Sequence, residues 1–213
     1  MKEQTAPHYS QAEEVCNSAT HIIGGLLTIV GVWLLILDSP KRSHVISALI
    51  YGVAIFAMFL ASSLYHAIRD KKAKAVVRKI DHAAIYFAIA GTYVPVLTVI
   101  ASPRECVIWN AGLGLCAVIG AASSFVTLKH KYVTTAVYLI MGWASLLLLR
   151  NLWRSADHLA TYLLVGGGVA YSIGAALYLI KKPFIHAVFH IFVVLGVVLQ
   201  YLAIRTLYLN LNS

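Results

Sequence analysis

Apolar residues in this chain come in long unbroken runs, not in the alternation of a half-buried strand or the one-sided stripe of a soluble helix. Crossing a hydrocarbon core of about 30 Å takes about 20 apolar helical residues. Seven runs meet that length, at 19–37, 44–66, 81–101, 106–127, 132–150, 159–180 and 184–206. They predict an all-α integral membrane protein, a seven-transmembrane helix bundle forming one domain over 19–213 after a short tail at 1–18. Apart from a basic loop at 67–80, the connections are a few residues long and leave no room for a second domain. Any active site must be built from the helices themselves.

Composition agrees with a lipid solvent. Of 213 residues 60% are apolar and 12% charged, and the mean hydropathy is +0.80, outside the soluble globular range. The first eighteen residues carry Glu3, Glu13 and Glu14 and lack a basic start followed by an apolar stretch, so no cleavable signal peptide is expected and the first span acts as the signal anchor. Cys16, Cys106 and Cys116 are too scattered for a disulfide framework or a CxxC zinc site.

Seven spans put the N-terminus and segments 67–80, 128–131 and 181–183 on one side. That side holds eleven basic residues: Lys2, Arg69, Lys71, Lys72, Lys74, Arg78, Lys79, Lys129, Lys131, Lys181 and Lys182. The other holds six, Lys41, Arg42, Arg104, Arg150, Arg154 and Arg205. The positive-inside rule therefore predicts a cytoplasmic N-terminus and an external C-terminus in the cell (inner) membrane. A formal charge of +9 also raises nucleic acid as a partner, but the excess flanks span ends without aromatic interleaving or a recognition helix. Anionic headgroups explain it, so the expected partner is a membrane lipid, as substrate or ligand, and not nucleic acid; a homo-oligomer stays open.

Small residues suggest where helices meet. Gly166, Ala170 and Gly174 fall on one face of the sixth span, and Gly24 and Gly25 in the first, with Gly112, Gly114 and Gly120 in the fourth, suit the same role. Pro95 removes a backbone hydrogen bond inside the third span and predicts a kink. No internal repeat is visible, which weighs against a transporter.

Ionisable residues inside spans are costly and mark function. The second span ends in SSLYH, with Ser62 and His66 four residues apart on one face; the third opens with Asp81 and His82; the seventh opens HAVFH, placing His186 and His190 on one face. Alternating helix direction brings Ser62, His66, Asp81, His186 and His190 to the cytoplasmic half of the bilayer, with Asp81 the shallowest unless the third helix starts deeper or a water bridges the gap. Three imidazoles and a carboxylate suit zinc with an open water position. A metal-free proton relay or a polar packing network is the competing reading. Glu14, Asn17 and His21 fall at helical spacings near the first span, where they cap the helix and line the site entrance. His82 points about 100° away from Asp81 and is expected to pack elsewhere. His44, His130 and His158 fall near interfaces as solvated groups, and His8 lies in the tail.

The segments EEVCNSATHIIG, SSLYH, KIDHAAIYFAIAGTYVP and HAVFH resemble the hemolysin III family of bacterial membrane proteins, which belongs with the progestin and adipoQ receptors, including the adiponectin receptors, and more distantly with alkaline ceramidases. The resemblance covers essentially the whole chain. It implies a seven-helix bundle in which His66, His186 and His190 hold zinc, Asp81 orients or deprotonates a zinc-bound water, and Ser62 supplies a nearby hydroxyl.

Four functions compete. Zinc hydrolysis of an amide or ester bond in a membrane lipid, affecting lipid homeostasis, uses every member of the set. A sensor or homeostasis factor with structural zinc would use the ligands alone. A cytolysin, as the family name suggests, is physically awkward for a chain that cannot cross water to another cell. A zinc or proton transporter would need polar residues continuing through the outer half, where Thr98 and Ser145 stand isolated. Short outer loops disfavour a receptor for external ligands.

Overall fold

The computed structural model describes residues 9–154 and 158–212. Its helices are α1 (Gln11–Leu37), α2 (Arg42–Ala67), α3 (Lys71–Ile100), α4 (Pro103–Val126), α5 (Lys131–Trp143), α6 (Leu149–Arg154), α7 (His158–Tyr178) and α8 (Ile185–Asn210), with a 3-10 segment, Ala144–Leu148, joining α5 to α6. No described residue lies in a strand, and seven spans are long and apolar enough to cross a membrane, α5 to α6 counting as one. The chain is a multi-pass membrane protein.

Six of the spans close a ring: α1 packs on α2, α2 on α3, α3 on α5, α5 on α7, α7 on α8, and α8 returns to α1, while α4 packs outside against α3. Small residues let α7 and α8 approach closely. A Cβ on Gly167 would stand 3.2 Å from the Gly196 carbonyl, and one on Gly174 would stand 3.2 Å from the Phe192 Cβ. The packing face of α7 thus includes Ala170 and Gly174 as expected, but its tightest point is Gly167, one residue from the Gly166 of the sequence pattern. On α4 only Gly120 packs, against the ring of Tyr86; Gly112 and Gly114 have nothing within 4 Å and face outward, contrary to expectation. An almost wholly apolar helix carries no stripe to reveal its rotation.

Helix starts also differ from the hydropathy boundaries. Ser10 caps α1 through a capping box with Glu13, so residues 11–18, expected as tail, are helical. Asp70 caps α3 by accepting from the Ala73 N–H at 2.8 Å, and the basic segment forms its first turns instead of a loop. Lys and Ala are strong helix formers that hydropathy alone discards. The helix continues through Pro95. In the fifth span the Tyr93 hydroxyl donates to the carbonyls of Met141 and Gly142, at 2.7 and 2.8 Å, where the α-helix gives way to the 3-10 segment. Carbonyls released from a helix within lipid need such a donor.

At the C-terminal end of α1 and α8, Arg205 pairs with Asp38 at 2.7 Å and the hydroxyls of Ser47 and Tyr208 lie 2.6 Å apart. His44 is buried there against the Tyr208 ring, not solvated as its interfacial position suggested. His130 and His158 are exposed as expected, and His8 lies outside the described residues. The three cysteines are free.

Candidate metal centre

The end of α2 and the starts of α1, α3 and α8 meet at one end of the bundle. There His66, His186 and His190 each present a ring nitrogen, and these nitrogens lie within 4.8 Å of one another. His186 and His190 sit one turn apart on α8, with ring centroids 4.5 Å apart, and His66 on α2 faces both at 5.2 and 5.1 Å.

Two of the rings have a fixed orientation. The Nδ1 of His66 lies 2.6 Å from the Glu14 carboxylate, and the Nδ1 of His190 lies 3.1 Å from the Asn17 carbonyl oxygen. Both partners only accept, so each Nδ1 carries the proton and each Nε2 keeps its lone pair. The buried Nε2 of His66 has no protein partner at all. A histidine that donates one N–H to a carboxylate or carbonyl and holds the other nitrogen free is the arrangement seen behind metal ligands. The donor set therefore fits a zinc ion, three imidazoles with room for a fourth group.

Glu14 and Asn17 therefore sit behind the rings, and α1 is capped by Ser10 and Glu13 instead of by them. Asn17 is wholly buried, and Glu14 also accepts from Lys74 at 2.7 Å. His21 is buried too, stacked on His190 with centroids 3.6 Å apart and planes 18° from parallel. The helical spacing holds, but α1 begins at Gln11, so Glu14 falls in its first turn and Asn17 and His21 further along, toward α2 and α8. Tyr9 covers the cluster from outside, stacked on His186 at 5.0 Å, and burial pushes its phenol well above the ordinary value, so the ring stays neutral. Glu13 accepts the N–H of Phe184 at 2.9 Å, the residue before α8 and the one non-glycine with positive φ among those described. Neither Tyr9 nor Lys74 carried any signal in the sequence.

Ser62 and Asp81 line a cavity of about 210 Å³ together with His21, His186 and His190. Asp81 lies in the third turn of α3, so the early start of that helix carries it to the depth of the histidines. His82 lines the same cavity, contrary to expectation, with its Nδ1 buried and unpartnered. Away from the histidines the walls are mostly apolar, with Ile85, Ile89, Val96, Leu164 and Val193, but they also carry Thr92, Lys131, Thr135 and Gln200, and α2, α3, α5, α6, α7 and α8 all contribute.

A family model described as Haemolysin-III related matches residues 9–201. The chain belongs to this family. Among curated relatives, Hemolysin-3 of Bacillus cereus is 33% identical over 90% of both chains. The Hemolysin-3 homolog of Bacillus subtilis (strain 168) is 35% identical over 86% of this chain and 89% of its own. The human Monocyte to macrophage differentiation factor is 31% identical over 90% of this chain and 83% of its own. The resemblance drawn from the sequence motifs is thus shown at the level of family, and this haemolysin-III family member shares its length with bacterial and mammalian relatives alike.

Proposed function

We propose that this haemolysin-III family member is a zinc-dependent hydrolase of a membrane lipid, acting at an amide or ester bond. The observation that carries this reading is the cavity: a carboxylate, a hydroxyl and imidazoles share one space with a mostly apolar lining, which suits a lipid with a polar group beside an acyl chain. A purely structural ion would gain nothing from an acidic residue on the cavity wall. The volume of about 210 Å³ is below the roughly 300–1,000 Å³ of drug-sized sites, so a lipid would fill it with its reacting end and the first part of its chain.

His66, His186 and His190 would hold the ion, which when bound lowers the pKa of water and polarises a carbonyl. The remaining work belongs to the chain. Asp81 accepts a proton from water as the water oxygen bonds to the carbonyl carbon; the carbon–nitrogen or carbon–oxygen bond then breaks and the proton passes from Asp81 to the leaving atom. The products are a fatty acid and an amine or alcohol. Ser62 supplies a hydroxyl in the same cavity that can donate to the Asp81 carboxylate, and the mostly apolar lining accommodates the acyl chain.

Lipid profiling of cells and of proteoliposomes carrying wild type or Asp81→Asn, at matched expression, tests this. The amide keeps the shape of the side chain and loses its basicity, so zinc should stay bound while turnover stops. Identical lipid profiles with full zinc in both would remove the enzymatic reading and leave a structural or sensing role.

A further inference from the structure

His21 is the group that the hydrolase reading leaves without a task. It is 4% exposed, lines the cavity beside Asp81 and Ser62, and has both ring nitrogens buried without a hydrogen-bond partner. Its nitrogens are not among the three that converge for a metal. Its faces are fully engaged, one ring stacked on His190 at 3.6 Å and the Phe59 edge at 5.0 Å and 73°, so the ring cannot turn away to find solvent. Buried polar groups almost always have partners, and two orphaned nitrogens on one locked ring at a cavity wall mark a place where the partner arrives with the ligand.

Resting on the hydrolase reading, we propose that His21 is a catalytic residue that donates a ring N–H to the scissile carbonyl oxygen of the lipid. As water adds to the carbonyl carbon, the carbon–oxygen π pair moves onto that oxygen. A donor already fixed by stacking stabilises the charge there without reorganising, and the charge returns to the carbonyl when the leaving atom departs. The bond to His21 is a hydrogen bond throughout, and no proton leaves the ring. His21 thus joins the reacting group, while His190, against which it lies, fixes its plane.

The test uses full-length protein in lipid nanodiscs as wild type, His21→Phe and His21→Gln. Phenylalanine keeps the stacked ring and removes both nitrogens; glutamine restores an N–H. The probes are a fluorescent N-dodecanoyl amide for turnover and dodecylphosphonate, a tetrahedral anion that cannot be hydrolysed, for binding. We expect His21→Phe to keep full zinc and its unfolding temperature, to lose about 10²–10³ in kcat with little change in KM, and to bind the phosphonate correspondingly less well, as for loss of one oxyanion donor. His21→Gln should recover at least part of both. Turnover and phosphonate affinity in His21→Phe within threefold of wild type would overturn the assignment, and so would loss of zinc, which would make His21 a support of the metal cluster. If wild type turns over neither the amide nor the matching fluorescent dodecanoyl ester, the hydrolase reading fails separately. Phosphonate binding then decides alone: weaker binding by His21→Phe supports the donor role and equal binding overturns it.

Discussion

Glu14 offers a direct test of how the cluster is tuned. Its carboxylate lies 2.6 Å from His66 Nδ1 and 2.7 Å from Lys74 Nζ, sharing one negative charge between an imidazole and an ammonium. Glu14→Gln keeps the length of the side chain and removes that charge, which leaves His66 a less basic ligand and frees its ring to adopt the other tautomer. Partners behind metal ligands are worth 10–100-fold in metal affinity, about 1.4–2.8 kcal/mol. The half-buried position of the pair, with side-chain exposures of 0% for His66 and 19% for Glu14, puts the expected loss inside that range and not below it. Lys74 supplies a control of opposite sign. It draws charge from Glu14 and also donates to the Ile68 carbonyl at 3.3 Å, so Lys74→Met should hold zinc no less tightly than wild type. The assay is competition for zinc against a chelator of known affinity, on purified protein at fixed pH. A Glu14→Gln dissociation constant within threefold of wild type, or a Lys74→Met constant weakened as much as that of Glu14→Gln, would refute the reasoning.

Other outcomes follow from the same geometry. His190→Ala should lose most of the metal on elemental analysis, and stoichiometric zinc in this variant would exclude His190 as a ligand. Gly120→Ala drives a methyl to 2.3 Å from the Tyr86 ring and should cost about 1–3 kcal/mol by thermal unfolding in detergent, as overpacking does, whereas Gly112→Ala should be silent. Reporter fusions after Asp70 and at the C-terminus should report opposite sides of the membrane, cytoplasmic for the first, because eleven of the basic residues flank the site end.

How much of this the sequence disclosed depends on which physical quantity it encodes. Span number was legible because lipid forces every crossing helix to be apolar over a fixed length. The grouping of His66, His186 and His190 with Ser62 and Asp81 was legible for a related reason, since alternating direction fixes depth once the spans are counted. Rotation about each helix axis was not, because the outward residues of α4 are as apolar or small as the inward ones; Gly112 and Gly120 differ only in what stands opposite. His44 reads as interfacial by depth, and only the position of Tyr208, far along the chain, makes it buried. Asn17 and Glu14 carry the right spacing, but a hydropathy start at residue 19 leaves them outside the span, since hydropathy cannot see a capping box of Ser10 and Glu13.

The ring of helices closes where α8 returns to α1. Its chemistry is divided the same way: Asn17, His66 and Asp81 are made early in synthesis, whereas His186 and His190 emerge only with the last span. A nascent chain inserted helix by helix therefore holds an unfinished histidine cluster in the membrane until translation has almost ended. If the three histidines hold zinc as proposed, its loading would be a late event in biogenesis, and a chain interrupted before α8 would enter the membrane without two of the three imidazoles.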